Sequence, residues 1–386
     1  DACIYCVAND VKYSGEDAKL KEMIRQSEYI RERAALKLWT LKEPTKVDNF
    51  SHTKLSAYID CPFKYFLKYS MLLKGDKEFD LFNEGLLKHK VLYDIFNTYP
   101  SRNDLSDALS NDKNFSQWIY QIVQNRWIDQ FKEGLYQYEI VRKQESQRIA
   151  QDLFSVVEYI SDGYVRLDKK NKKIRFAKVD ALEKPFETSI VHNNDTIKIN
   201  TRIDRIDMVD ENYEYKPSKT DTFLEKKEGA IGIIDYKNSE HFQSEQLFLY
   251  YKILNSLNYT EGEDVYLIFL VTKEDKSNKS LVIKIQNNEV YMKKSGKSTE
   301  YVSFNFSEFD TWLSEVITDI KNSYFVPLAV FEPKKKRFLI QMREKYENAS
   351  SSESSYPCIG YEYSGCEYLK LCSLLGYHED FSLKAR

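Results

Sequence analysis

The chain has 386 residues, which is long enough to bury a sizeable core and to form about two or three folding units. Aromatic residues make up 14% and charged residues 30%, with only 12 Gly and 8 Pro, so the composition predicts a globular rather than a disordered chain. The formal net charge of -3 excludes a basic field over the whole molecule, and any contact with nucleic acid must therefore use a local groove.

The sequence predicts no membrane association. No stretch approaches the roughly 20 apolar residues that a membrane span requires, and the first residues lack the pattern of a secretory signal. We therefore expect no membrane partner and a cytoplasmic location. The chain opens at Asp1 without a Met, and residues 1–50, with an amphipathic pattern over 15–41, are expected to form a helical segment that ends a preceding unit.

Hydrophobic periodicity divides the rest of the chain into a helical region, 51–170, and a mixed region, 171–345. Helical patterns cover 51–73, 80–98, 113–132 and 136–168. Strand patterns cover 173–181, 186–192, 195–209, 231–236 and 265–271, with a helix at 243–257, a hairpin at 279–285 and 289–293, and a closing helix at 306–323. This order predicts an α/β core. Residues 346–386 are expected to form a cysteine-containing tail. The serine-rich stretch at 344–357 is expected to be a surface linker that precedes its cysteines.

Two acidic strand patterns indicate metal-dependent chemistry. Alternation along a strand sends Asp235 and Lys237 to the same face, where a carboxylate can hold a divalent cation and an ammonium can position water and offset negative charge. A pair of solvated residues at a strand end is the alternative. Asp204 and Asp207 lie three apart on the earlier strand and so face opposite ways. We favour Asp204 as the metal ligand and a structural or surface role for Asp207.

Five motifs follow one another in a recognisable order. They are Leu55 to Phe66 with Cys61-Pro62 before an aromatic run, Gly85-x-x-x-His89, Arg202 to Asp207 with Thr201 in place of a usual glycine, Asp235-x-Lys237, and Gln246-x-x-x-Tyr250. Together they resemble the PD-(D/E)XK nuclease superfamily, and more closely its RecB-like and AddB-like branch, over residues 55–372. The resemblance implies a restriction-endonuclease-like fold, with a mixed central sheet flanked by helices and a large helical insertion.

The resemblance also implies roles for individual residues. The catalytic residues would be Asp204, Asp235, Lys237, Gln246 and Tyr250, and the ligands of Mg²⁺ or Mn²⁺ would be His89, Asp204, Asp235 and the backbone carbonyl of Tyr236. Without the motif, a histidine such as His89 on an amphipathic helix is more often a half-buried side chain than a ligand. Gln246 and Tyr250 share a helical face, and packing of the helix onto the sheet is an equally good explanation of that pair.

Other polar and aromatic residues have weaker functional interpretations. Glu187, upstream of the first acidic strand, could be a further acidic residue near the metal, although an exposed strand glutamate is the better explanation. The aromatic residues from Phe63 to Tyr69 could stack on single-stranded bases. Their helical spacing favours a place in the core.

Six cysteines are too few for a disulfide scaffold in a chain of this size. In the resembling nucleases that carry an iron–sulfur cluster, one cysteine precedes the helical insertion and three lie near the C-terminus. Cys61, Cys366 and Cys372 fit three of these places, but Tyr363 occupies the fourth and Cys358 lies five residues earlier. We expect these four cysteines to hold a 4Fe-4S cluster, or zinc as the alternative metal, so that the tail 346–386 packs back on Cys61. Free, partly buried thiols are the other explanation. Cys3 and Cys6 lie outside the resemblance and are expected to be inert.

These features predict a metal-dependent deoxyribonuclease. The resemblance implies an exonuclease of DNA recombination and repair that acts on single-stranded DNA or free ends with a helicase, fused or separate. The alternatives are a DNA-binding or assembly module that retains the nuclease geometry without turnover, and a restriction-type endonuclease.

Overall fold

The computed structural model of the chain describes residues 49–73, 84–130, 138–166, 173–209, 230–239, 245–261, 263–273, 280–293, 301–322, 325, 337–347 and 368. The amphipathic pattern over 15–41, most of the serine-rich linker and every cysteine except Cys61 lie outside these residues. None of the helices in the described ranges has both the length and the apolar character needed to cross a membrane.

A mixed eight-stranded sheet forms the centre of the fold. The strands are β1 (Asn49–Ser51), β2 (Tyr164–Arg166), β3 (Lys173–Ile174), β4 (Phe176–His192), β5 (Asp195–Val209), β6 (Ala230–Lys237), β7 (Asp264–Val271), β8 (Leu281–Gln286), β9 (Glu289–Lys293) and β10 (Tyr301–Asn305). β2 and β3 pair only with each other within the described part of the chain, and the other strands form the sheet. β5 pairs with β4 on one edge and with β1 and β6 on the other. β6 and β7 are parallel, and antiparallel pairs continue through β8 and β9 to β10.

Helices cover both faces of this sheet. They are α1 (His52–Asp60), α2 (Pro62–Tyr65), a π-helical turn (Phe66–Ser70), α3 (Glu84–Thr98), α4 (Arg102–Ser110), α5 (Asp112–Gln130), α6 (Glu139–Asp162), α7 (Gln246–Ser256), α8 (Ser307–Lys321) and α9 (Phe338–Glu347). Neighbouring residues of β6 point to different cores: Ile233 packs in the core that contains α1, α7, α8 and α9, and Ile234 packs in the core that contains α3, α5 and α6. Burial on both faces is what the continuous apolar runs of β6 and β7 require.

The predicted α/β fold with a helical insertion is confirmed, and the differences from the prediction are local. The helix expected over 51–73 is interrupted at Cys61, whose backbone is extended (φ -162, ψ 114). A residue that precedes proline avoids the α conformation, so α1 ends at Asp60 and Pro62 begins α2. Four short elements, β1, α4, β10 and α9, were not predicted, and β2 lies where the end of the helix expected over 136–168 was placed.

The two strands expected at 173–181 and 186–192 belong largely to one strand, β4, which continues through Pro185. Proline is tolerated there because β4 is an edge strand that pairs with β5 on one side. Asn193 and Asn194, with φ of 47 and 69, form the turn between the paired residues His192 and Asp195. Both central residues of a type I′ turn need positive φ, which Asn adopts readily, so this turn fixes the register of β4 on β5.

A buried ion pair holds β5 against the insertion. Arg205 and Asp207, both fully buried, form two hydrogen bonds of 2.7 and 2.6 Å. The guanidinium carbon lies 3.9 Å from the ring centroid of Phe96, and Nη1 donates to the Tyr236 hydroxyl at 3.3 Å. Asp207 therefore has a structural role and faces away from Asp204.

We expect Asp207→Ala to lower the free energy of unfolding by about 3–5 kcal/mol, because it leaves the Arg205 charge buried without its carboxylate partner. Asp195→Ala is the matched control, since Asp195 is 68% exposed in its ion pair with Lys321. Loss of that exposed pair should leave the free energy of unfolding nearly unchanged. Urea unfolding of both variants measures the difference, and equal losses would contradict the structural role of the buried pair.

Candidate active site

Two strands separate at the point where the acidic residues meet. β5 and β6 pair from Met208–Ile231 to Arg205–Ile234, and one further step would place Asp204 opposite Asp235. That step is not a backbone pair. The N–H of Tyr236 instead donates to Asp204 Oδ2 at 3.0 Å. On the same edge of β5, β1 reaches only as far as Asn200, so a gap between β1 and β6 opens beside Asp204.

His89 reaches this gap from α3. Its Nδ1 lies 3.4 Å from Asp204 Oδ2, and its Nε2 lies 3.3 Å from the carbonyl oxygen of Tyr236. Burial alone lowers the pKa of His89, but the hydrogen bond and charge of Asp204, with the charges of Asp235 and Glu183, outweigh burial and raise it. The imidazole therefore lies in a strongly negative environment.

Glu183 is a site residue that the sequence analysis missed. One ligand atom each from His89, Glu183 and Asp204 lie within 4.8 Å of one another. Glu183 has a positive φ of 46 and lies between the residues paired with Arg205 and Ile203, opposite Asp204. The signal was available, because counting back in register from the turn at Asn193 and Asn194 brings Glu183 to that position. Burial and the charge of Asp204 raise its pKa.

Asp235 and Lys237 form the other half of the site, but Asp235 is not a member of that trio. The Asp235 carboxylate is 1% exposed, and its Oδ2 lies 2.5 Å from Lys237 Nζ. This ion pair gives the buried Asp235 carboxylate a positive partner. Burial and the charge of Asp204 raise the pKa of Asp235 to about 7, although Lys237 opposes the shift.

Gln246 and Tyr250 extend the site along α7. Lys237 Nζ donates to Gln246 Oε1 at 2.9 Å, and Gln246 Nε2 donates to the Tyr250 hydroxyl. Tyr250 also shares a hydrogen bond with the side chain of Thr201. Burial and the charges of Asp235 and Asp204 raise the pKa of the Tyr250 phenol well above its usual value. The pair therefore both packs the helix onto the sheet and braces Lys237.

The residues of the site fit a divalent cation. The acids Asp204, Asp235 and Glu183 converge, and two of them have raised pKa values because of burial and mutual repulsion. A divalent cation would relieve that repulsion. Carboxylate oxygens with one imidazole suit Mn²⁺ and are compatible with Mg²⁺.

A buried lysine positions the helix that carries His89. Lys88 Nζ is fully buried and lies 2.7 Å from Asp152 Oδ2 on α6, 2.7 Å from Glu84 Oε1 and 2.5 Å from the carbonyl oxygen of Thr272. The N–H of Thr272 donates to the carbonyl oxygen of Lys237 at 2.8 Å. The Lys88 ammonium thus connects α3 and α6 to the end of the strand that carries Lys237.

The remaining predicted candidates lie elsewhere. Glu187 is 55% exposed and pairs with Lys198 at 3.3 Å, as an exposed strand glutamate would. The aromatic residues after Cys61 are mostly buried, and the rings of Tyr65 and Phe66 stack on Phe325 in the core. The structure therefore places these rings in the core instead of on a surface for bases.

Cys61 is buried at the junction of α1 and α2. The other members of the predicted cysteine set, Cys358, Cys366 and Cys372, lie outside the described residues. Tyr368, from the segment between the last two, is buried and donates through its hydroxyl to the carbonyl oxygen of Leu73 at 2.7 Å.

The fold and the site together define a class of protein. A mixed sheet carries two converging aspartates and a lysine two residues after the second, and a family model of the PD-(D/E)XK nuclease superfamily matches residues 49–373. The chain belongs to the PD-(D/E)XK nuclease superfamily. The resemblance to this superfamily that the sequence motifs indicated is confirmed.

Several bacterial proteins resemble this chain, and each is named as a subunit of an ATP-dependent helicase/deoxyribonuclease. The protein from Clostridium acetobutylicum is 27% identical over 233 residues, which cover 55% of this chain and 17% of that protein. The protein from a Thermoanaerobacter species is 25% identical over 194 residues, or 49% of this chain and 15% of that protein. The protein from Carboxydothermus hydrogenoformans is 26% identical over 208 residues, which cover 50% of this chain and 18% of that protein. The matches therefore span less than a fifth of each relative.

The role of Glu183 can be tested by metal binding alone. We expect Glu183→Gln to weaken Mn²⁺ binding at least about tenfold, since even outer residues of metal sites affect affinity by about 10–100-fold. Glu187→Gln, on the same strand, is the matched control and should bind Mn²⁺ as the unmodified chain does. Isothermal titration measures both affinities, and an unchanged affinity in Glu183→Gln would exclude it as a ligand.

Proposed function

We propose that this chain is a divalent-metal-dependent nuclease that hydrolyses phosphodiester bonds in DNA. The supporting observation is the convergence of His89, Asp204 and Glu183 beside the ion pair of Asp235 and Lys237. Acidic ligands for a cation and a basic side chain thereby lie close together. Phosphodiester hydrolysis needs this combination, because negative charge builds on the phosphoryl oxygens in the transition state.

His89, Asp204 and Asp235 would hold Mg²⁺ or Mn²⁺, with the carbonyl oxygen of Tyr236 and with Glu183 as an additional carboxylate. The ion, when bound, would polarise a phosphoryl oxygen and lower the pKa of a bound water. Three carboxylates carry more negative charge than one divalent ion neutralises. The positive charge of Lys237 therefore contributes to the charge balance of the site.

Lys237 has the geometry to assist the attacking water. Its side chain is 25% exposed, and Asp235 and Gln246 hold the ammonium in place. There it can orient a water molecule and offset charge on the phosphate. The water oxygen forms a new bond to phosphorus, the bond to one sugar oxygen breaks, and the water proton passes to that sugar oxygen.

We further propose that the substrate is DNA with single-stranded or free ends, and that the chain acts as an exonuclease with a helicase, fused or separate, in recombination and repair. The support is the likeness to proteins named as subunits of an ATP-dependent helicase/deoxyribonuclease. A cleavage pattern tests the mode of action: progressive shortening of linear DNA is expected, whereas discrete fragments would indicate an endonuclease.

We expect Lys237→Ala to reduce DNA cleavage by about 10²–10⁴-fold, the usual contribution of a group that assists proton transfer or charge stabilisation. Lys198→Ala is the control, because Lys198 is exposed on β5 and pairs with Glu187. The assay uses labelled linear and single-stranded DNA with Mg²⁺ or Mn²⁺ and with a chelator. Cleavage that persists in the chelator would contradict metal dependence. Activity that is no higher in the unmodified chain than in Lys237→Ala would contradict the enzyme proposal and favour a DNA-binding module.

We also propose that Cys61, Cys358, Cys366 and Cys372 hold a 4Fe-4S cluster, with zinc as the alternative. Burial of Cys61 and the hydrogen bond from Tyr368 to Leu73 support this, since Tyr368 lies between Cys366 and Cys372 in sequence and Leu73 lies in the stretch that follows Cys61. Thiolates are the ligands that such clusters require.

Metal content tests the cysteine proposal independently of cleavage. Protein purified without oxygen should contain iron with visible absorption, or zinc, and Cys61→Ser should lose it. Cys3→Ser should retain it, because Cys3 lies outside the four. A colourless preparation free of both metals would contradict the proposal.

A further inference from the structure

A cleft adjoins the candidate active site. It is a cleft of about 610 Å³, within the size range of small-molecule sites. Four elements line it: the start of α1, the middle of β4, the middle of β5 and the first turns of α7. Register places these parts together, because Asn200 pairs with Ser51 on one side and with Glu187 on the other.

The cleft and the active site share a wall. Gln246 and Tyr250 line the cleft, and Gln246 Oε1 accepts the hydrogen bond from Lys237 Nζ at 2.9 Å. A molecule in the cleft would therefore lie one side chain away from the ammonium proposed to assist hydrolysis.

The charges that line the cleft are already balanced. Arg202 and Glu187 are its charged side chains among the described residues. Arg202 Nε lies 2.9 Å from Glu183 Oε2, and Glu187 pairs with Lys198. The other walls offer hydroxyl and amide groups, including Asn200 and Thr201, with Phe186 as an apolar surface. Such a lining suits a neutral occupant with several hydrogen-bonding groups better than a free anion.

His52, at the start of α1, keeps its part of the cleft uncharged. Burial and the positive charges of Lys237 and Arg337 lower the pKa of His52 to about 3. The imidazole is therefore neutral at physiological pH. A neutral ring next to Lys237 does not compete with the active site for the phosphate.

We propose that this cleft holds the sugar and base of the nucleotide next to the phosphate that is cleaved. This rests on the proposed nuclease function and adds where the strand lies: the phosphate at the aspartates, and its nucleoside across Gln246 between α1 and β5. Sugar hydroxyl and base edges would meet Asn200 and Thr201, which line the cleft on β5.

Binding of small probes tests the cleft without relying on cleavage. With Mn²⁺ present, thymidine 5′-monophosphate should bind the full chain more tightly than inorganic phosphate, measured by isothermal titration. Asn200→Leu should weaken nucleotide binding about tenfold, equivalent to one or two lost hydrogen bonds, without changing phosphate binding. Asn114→Leu is the matched control, because Asn114 lines a separate cleft of about 640 Å³ on the helical insertion.

A second variant guards against misfolding. Thr53 is exposed at the start of α1, and Thr53→Trp should fill the cleft, preserve the thermal midpoint and raise the KM for an oligonucleotide with little change in kcat. A single-stranded oligonucleotide should compete for the same cleft as the mononucleotide. If the chain cleaves DNA while both variants keep normal KM and nucleotide affinity, the cleft inference is wrong and the nuclease stands. If no DNA is cleaved but nucleotide binding follows these variants, the nuclease proposal fails instead.

Discussion

The end of the β5–β6 ladder is the constraint on which the site depends. Residues directly opposite one another in an antiparallel pair have Cβ atoms about 4.5–5.5 Å apart, and like charges there are destabilising. Continuing the ladder past Arg205 and Ile234 would place Asp204 opposite Asp235 in this way. The strands instead separate, and the Asp204 carboxylate accepts the N–H of Tyr236. One side chain therefore replaces a backbone acceptor and faces the gap as a candidate ligand.

The separation concentrates negative charge, and the surrounding structure balances its other buried charges locally. Arg205 and Asp207 neutralise each other on the opposite face of β5. Glu245, buried at the start of α7, is paired with Arg337 and also accepts the N–H of Phe338 at the start of α9. At the gap, Asp235 pairs with Lys237 and Glu183 with Arg202, but burial and the charge of Asp204 still raise the pKa values of Asp235 and Glu183. This crowding of carboxylates suits a bound cation.

Sequence patterns predicted the parts of the site that depend on local geometry. Strand alternation placed Asp235 beside Lys237, and it placed Asp207 away from Asp204, because the period of a strand needs no tertiary information. Glu183 was missed because its position depends on the register of a long hairpin, although the Asn193 turn encodes that register. The break at Cys61 follows from the proline after it and was also predictable. The burial of Lys88 was not, since a lysine on an amphipathic helix normally faces solvent.

That buried lysine explains why the helical insertion is part of the site and not an addition to it. His89 can approach Asp204 only if α3 has a fixed position along its axis relative to the sheet. Apolar packing alone tolerates small shifts along a helix axis. Lys88 removes that freedom, because its ammonium must meet Asp152 of α6 and the carbonyl oxygen of Thr272 together. Leaving a fully buried ammonium without these partners is strongly unfavourable. The N–H of Thr272 also donates to the backbone carbonyl oxygen of Lys237. The Lys88 contact therefore fixes the position of His89 relative to the strand that ends in Asp235 and Lys237. The imidazole and the two aspartates, distant in sequence, are therefore positioned by one shared anchor.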